Sequence, residues 1–187
     1  PYASVELTEP AQRLVISWGD DGALAYVDQM TQHPPLFYFA AAKVMELSGA
    51  LDWSWDRQLL LLRLFSVMLT LPLVPSLAYT ARRVGLSRGG SLVAAGLLFA
   101  VPQLAFTSGT LSNDSLAIGV GALTMAVCAH VMFTGASWRG VILSGVLLGL
   151  GLWSKGTFIP MGLVVFLAFM LNRGAGSTRQ RLLQGVS

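Results

Sequence analysis

Up to residue 57 polar and apolar positions alternate too densely to cross a bilayer, whereas from residue 58 to 171 the chain is a series of apolar runs broken by short charged loops. A helix that crosses the hydrocarbon needs about 20 mostly apolar residues at 1.5 Å each. The runs at 58–79, 91–108 and 115–133 meet that requirement. The run at 141–171 is too long for one crossing, and Ser154-Lys155-Gly156 interrupts it. It therefore predicts two short crossings that meet at a polar break. The expected fold is all-α: a polytopic helical membrane protein with about five transmembrane helices.

Residues 1–57 are expected to form an outer loop containing amphipathic interfacial helices, residues 58–172 the transmembrane core, and residues 173–187 a basic cytoplasmic segment. Thr8-Glu9-Pro10 resembles a helix start, with Thr8 able to cap and Pro10 tolerated in the first turn, followed by AQRLVISW. A second start is Pro34-Pro35 before LFYFAAAKVMEL, where Lys43 and Glu46 mark one polar side. Such helices suit the membrane interface, and Trp18, Trp53 and Trp55 suit that depth. No fixed-period repeat is visible. Gly145 and Gly149 fit close helix packing.

Composition agrees with a membrane protein. The 187 residues are 54% hydrophobic and only 11% charged, about half the charge of a soluble domain. A net charge of +3 with so much apolar sequence also excludes disorder. Cys128 stands alone inside an apolar run, offering neither a disulfide framework nor a cysteine-based zinc site. The twelve Lys and Arg make no basic face for nucleic acid. Instead they follow topology: Arg82, Arg83, Arg88, Arg139, Arg173, Arg179 and Arg181 fall on alternate loops, as cytoplasmic loops require. The nine carboxylates all belong to the opposite side. That side is the extracytoplasmic face of what is expected to be a bacterial inner membrane, and chemistry is expected there.

Ionisable groups at membrane depth cost at least about 2.5 kcal/mol on insertion scales, so each needs a reason. Asp114 opens a crossing after TSGTLSN. Its plain structural reading is an N-cap or first-turn carboxylate favoured by the helix dipole. Functionally, a carboxylate there with Asn113 beside it can accept a proton, hold a metal or orient a sugar hydroxyl, and position does not choose among these. Lys155 interrupts an apolar stretch, so its ammonium must reach the outer interface or an anionic partner. A phosphate suits it, since Gly151 and Gly156 allow close backbone approach; a turn lysine touching lipid headgroups is the plainer alternative. His33 precedes two prolines, and alone it reads as a hydrogen-bonded side chain. His130 is assigned to packing, and Arg63 to snorkelling or a supporting ion pair. GxSxG, HExxH, P-loop and CxxC patterns are all missing from the sequence, so soluble hydrolase, zincin and NTPase readings have no support.

The order of features is an acidic first loop, QHPPLFYF, RLFSVMLTL closing in the basic ARRVGLSRGG, LSNDSLA, then GLGLWSKGTFIP. In this order the chain resembles the N-terminal membrane core of the GT-C superfamily of polytopic glycosyltransferases, which contains protein O-mannosyltransferases and lipid A aminoarabinose transferases. The resemblance covers nearly the whole chain. It implies transfer of a sugar from a polyprenyl-phosphate carrier to a glycan, lipid or protein acceptor on the outer side of the membrane, with one crossing before Pro1 and several after Ser187. The family places an acidic catalytic residue in the first outer loop, commonly in an Asp-Glu pair. Here Thr8-Glu9 stands in that neighbourhood, and Glu9 is the expected base, with Glu6 and Asp20-Asp21 as fallbacks. His33 matches the HPP element near the donor site, where some members bind a metal; a divalent metal is therefore left open. Asp114 matches the family's outer-loop acid, with Asn113 beside it, and Lys155 matches the lysine of its TKG-like element.

The expected mechanism is direct displacement at the anomeric carbon, with Glu9 as general base. Lys155 stabilises the charge on the departing phosphate, while Asp114, Asn113 and His33 orient the reactants or a metal. The alternative of another class is a secondary transporter or channel, with Asp114 and Lys155 in a translocation path and the break at Ser154-Lys155-Gly156 a discontinuous helix. An inverted repeat would support it, and none is visible. A third reading, a non-catalytic assembly subunit, predicts that Glu9, Asp114 and Lys155 can all be neutralised without effect.

Overall fold

The computed structural model describes residues 34–172; Glu6, Glu9, Asp20, Asp21, His33, the first expected interfacial helix and the segment 173–187 lie outside the described residues. The helices, in chain order, are α1 (Leu36–Leu47), α2 (Trp55–Thr70), α3 (Leu73–Val84), α4 (Arg88–Gly96), α5 (Pro102–Gly109), α6 (Asn113–Thr134), α7 (Trp138–Ser154) and α8 (Ile159–Met170), and no strand occurs among the described residues. The protein is an all-α membrane protein.

Their boundaries follow from local chemistry. Gly85 closes α3 at φ 111°, where a side chain would be strained, and lets the N–H of Leu86 reach back to the Ala81 carbonyl at 3.0 Å. Arg82 and Arg83 occupy the last turn of α3, the negative end of its dipole. Ser87 and Ser137 cap α4 and α7, each accepting from the glycine N–H three residues on at 3.1 Å. The Gln58 amide ties α2 to the preceding turn by donating to the carbonyls of Ala50, Leu51 and Trp53 at 2.9–3.1 Å.

Among the described residues two spans are long and apolar enough to cross a membrane: Trp55–Val84, which joins α2 and α3, and Asn113–Thr134. The expected second crossing is instead a bent pair, Arg88–Ala100 and Pro102–Gly109, with 69° between its halves. Pro102, which lacks an N–H, starts a new helix there and cannot continue the old one. The expected fourth and fifth crossings are the shorter apolar helices Trp138–Ser154 and Gly156–Met170, divided at Lys155 as the sequence predicts. Among the described residues the expected first and third crossings are thus long apolar spans, the second is a bent pair, and the fourth and fifth are short apolar helices.

The distribution of side chains is that of a protein solvated by lipid. Ser66, Thr70, Ser76, Ser91, Ser115, Thr124, Ser144 and Ser154 are buried, while Leu64, Met68, Leu92, Phe99, Phe106, Ile142, Val146, Leu163 and Phe166 are exposed. In water such an exterior would aggregate. In hydrocarbon small polar residues let helices approach closely, and large apolar ones face the lipid.

Helix α6 is the centre of the bundle, packing on α2, α3, α7 and α8. Close approach is decided at glycines. A Cβ on Gly119 of α6 would overlap the carbonyl oxygen of Leu69 in the last turn of α2, and one on Gly151 of α7 would overlap the Phe158 ring. Phe158 fills the space those helices leave, in a core cluster with Val120 and Leu147. The pairs Leu69/Gly119 and Tyr79/His130 fix the register: ten residues along α2–α3 match eleven along α6, so these spans run parallel. The first turns of α2 therefore project beyond the Asn113 end of α6. Helix α1 packs on α2, with the buried Phe37 stacked on Phe65 at 6.1 Å and the polar side marked by a 2.6 Å Lys43–Glu46 ion pair.

Candidate functional site

The site is built where α6 begins and α7 ends. Ser112 is the N-cap of α6 in extended conformation, which leaves Asp114 in the first turn, where the positive end of the helix dipole favours a carboxylate. Helix α7 stops at Ser154. Lys155 turns extended, at φ −155° and ψ 130°, while its N–H still donates to the Gly151 carbonyl at 2.9 Å. Its own carbonyl accepts from the Phe158 N–H at 3.0 Å, so the turn after it is anchored through Phe158 to the core.

Two buried residues fasten these helix ends together. The Asn113 amide donates to the Ser154 carbonyl at 3.2 Å, and the Ser154 hydroxyl donates to the Asn113 carbonyl at 3.2 Å. Asn113 is 5% exposed and Ser154 fully buried. The residues that follow them, Asp114 and Lys155, are therefore held side by side, and they form an ion pair through Asp114 Oδ1 and Lys155 Nζ. Their side chains are 40% and 28% exposed, so the pair is reachable from outside. The ammonium has three protons and the carboxylate two acceptor oxygens, which leaves capacity on both for a ligand. Ser112 Oγ, at the same helix start, is buried without a hydrogen-bond partner.

Beside this end lies an apolar cavity of about 340 Å³ lined by Pro35, Leu36, Phe39 and Trp153. Trp153 precedes Ser154, and Pro35 starts α1, so the cavity joins the α7 terminus to the segment that follows His33.

Of the residues expected from sequence, Asn113, Asp114 and Lys155 meet; Glu9 and His33 lie outside the described residues. Asn113 has its amide nitrogen engaged with the backbone, and its position makes it a brace for Asp114. From the sequence Ser154 reads only as part of the polar break, and no local signal connects Trp153 with α1. Both depend on which helix ends meet. Among the described residues no cluster of His, Cys, Asp or Glu is arranged to hold a metal ion.

An all-α bundle with a lipid-type exterior defines an integral membrane protein. The chain matches the family described as dolichyl-phosphate-mannose-protein mannosyltransferase over residues 32–186, and it belongs to that family. It is a glycosyltransferase of the GT-C type. The match takes in His33, Asn113, Asp114 and Lys155, while Glu9 precedes it. No curated protein and no solved structure matches the chain significantly.

Proposed function

We propose that this protein transfers a sugar from a polyprenyl-phosphate-linked donor to an acceptor hydroxyl on the extracytoplasmic face of the membrane, at the Asp114–Lys155 end of the bundle. The observation that carries the reading is the part-buried Asp114–Lys155 ion pair next to an apolar cavity lined by Pro35, Leu36, Phe39 and Trp153. A lipid phosphate has the same division: an anionic head for the ammonium and an apolar tail for the cavity.

In this mechanism the acceptor oxygen attacks the anomeric carbon, and the bond from that carbon to the phosphate oxygen breaks. The electron pair leaves with the polyprenyl phosphate. Lys155 stabilises the charge gathering there, because a fixed cation in a poorly solvated site favours a developing anion. The acceptor proton passes to a carboxylate. Glu9 is the proposed base, and Asp114 holds Lys155 in place and orients a sugar hydroxyl or the base. His33 is proposed to sit at the donor. A donor, a bilayer and an acceptor hydroxyl are then the partners, and the acceptor is a glycan, a lipid or a protein.

The test is turnover of a labelled polyprenyl-phosphate sugar by full-length protein in liposomes, comparing wild type with Glu9→Gln, Asp114→Asn and Lys155→Ala. Loss of about 10²-fold or more in Glu9→Gln with donor still bound assigns the base, as removal of a general base does. A wild type that neither binds nor consumes any such donor overturns the reading.

A further inference from the structure

At the opposite end of the bundle, a cavity of about 330 Å³ opens between α3, α6 and α7, lined by Tyr79, Leu123, Ala126, Val127, His130, Arg139, Gly140 and Leu143. Its lining is graded along the helices. On α6, Leu123, Val127 and His130 share one face by helical spacing, with His130 one turn from the end at Thr134. On α7, Arg139 lies in the first turn and Leu143 one turn deeper. The polar groups thus stand at the rim, and aliphatic side chains continue towards the middle of the spans. A cavity of this size takes a headgroup phosphate and the upper part of one acyl chain.

The rim is prearranged. The Tyr79 hydroxyl and His130 Nδ1 share a 2.7 Å hydrogen bond, and their rings stack with centroids 6.4 Å apart. Arg83 lies over the Tyr79 ring, its Cζ 4.9 Å from the ring centroid. Arg139 lines the cavity itself, and Arg83 stands against the Tyr79 ring beside it. The described carboxylates, Glu46, Asp52, Asp56 and Asp114, all belong to the other end. The ion pairs among the described residues are Lys43–Glu46 and Lys155–Asp114, so neither arginine is neutralised by a described acid. His130, assigned to packing from the sequence, packs on Tyr79 and shares its hydroxyl hydrogen bond at the rim of this slot.

We propose that this cavity binds one anionic glycerophospholipid of the surrounding bilayer, with the headgroup phosphate at Arg139 and the Tyr79–His130 pair, within the field of the neighbouring Arg83, and one acyl chain along Leu123, Val127 and Leu143. Two arginines at a membrane surface attract anionic headgroups, and the planar guanidinium suits phosphate oxygens. The slot makes the site one for a lipid and not for a free anion. It is separate from the Asp114–Lys155 site and does not depend on sugar transfer.

The experiment is native mass spectrometry of the full-length protein in detergent, titrated with phosphatidylglycerol or phosphatidylcholine of identical chains. Wild type is expected to retain phosphatidylglycerol at least about fivefold more tightly. Arg83→Gln and Arg139→Gln should each lower its affinity about fivefold and leave phosphatidylcholine unchanged. Ala126→Trp, which fills the slot, should displace both lipids, and Lys43→Gln at the other end should change neither. Equal affinity of wild type for the two lipids overturns the proposal without any variant. So does displacement of phosphatidylglycerol by glycerol phosphate at equal concentration, which would make this a site for a soluble phosphate.

Discussion

Asn113 and Ser154 exchange hydrogen bonds across the ends of two antiparallel helices, each side chain donating to the other's backbone carbonyl at 3.2 Å. Both are buried, and the next residue of each is a member of the Asp114–Lys155 pair. A hydrogen bond between buried groups positions what is attached to it, because either partner left alone is unsatisfied.

Ser154→Ala and Asn113→Ala are each expected to destabilise the protein by about 1 kcal/mol, within the range for hydrogen bonds between membrane helices. The double variant should cost less than the sum, since each single change already disrupts the same bracket. Unfolding of the full-length protein in mixed micelles measures the coupling. Strict additivity would mean that the two bonds act separately and do not position the pair.

Asp114 and Lys155 can be separated into structural and chemical roles by exchanging them. Asp114→Lys alone or Lys155→Asp alone should destabilise by placing like charges together near the membrane, while the double exchange restores much of that loss. Turnover of a polyprenyl-phosphate sugar should remain at background in the double exchange, because the cation then sits on the wrong helix. Recovery of turnover together with stability would reduce the pair to a structural ion pair.

Phe158 predicts a strongly non-additive response at Gly151. Gly151→Ala puts a methyl group into the Phe158 ring and should cost about 1–3 kcal/mol by overpacking. In a Phe158→Ala background the same change should cost close to nothing, because the obstructing ring is gone. Thermal unfolding of the four proteins closes the cycle, and an unchanged cost in that background would show that the ring is not what Gly151 accommodates.

Sidedness is open to chemical labelling. In a Cys128→Ser background, a cysteine at Leu111 should react with a membrane-impermeant maleimide added outside intact cells, and one at Arg88 only after permeabilisation. Both positions are exposed and lie at opposite ends of the bundle. The reverse pattern would move the proposed site to the cytoplasmic face.

Sequence alone determined the elements whose signal is local. Apolar runs marked where helices form, since a bilayer requires length and apolarity; Pro34-Pro35 marked the start of α1, which spans Leu36–Leu47. Charge gave the polar break at Lys155 and singled out Asp114, because an ionisable group beside apolar sequence needs a partner. The order of short motifs indicated the family, which the match over residues 32–186 bears out.

Tertiary structure decided what depends on which helices meet. The bend at Pro102 and the split of the first span into α2 and α3 were hidden, because hydropathy averages over a window and does not register a change of direction. That Asp114 and Lys155, separated by 41 positions, are partners follows from the chain between them being folded into two antiparallel helices whose ends coincide. The same holds for Tyr79 and His130, separated by 51 positions and joined only because Gly119 lets α2 and α6 approach until their registers match. Hydropathy fixes where a helix can lie in the membrane. Which faces touch is set by the absence of a Cβ at a few glycines and by single hydrogen bonds between helix ends, neither of which leaves a periodic trace in the chain.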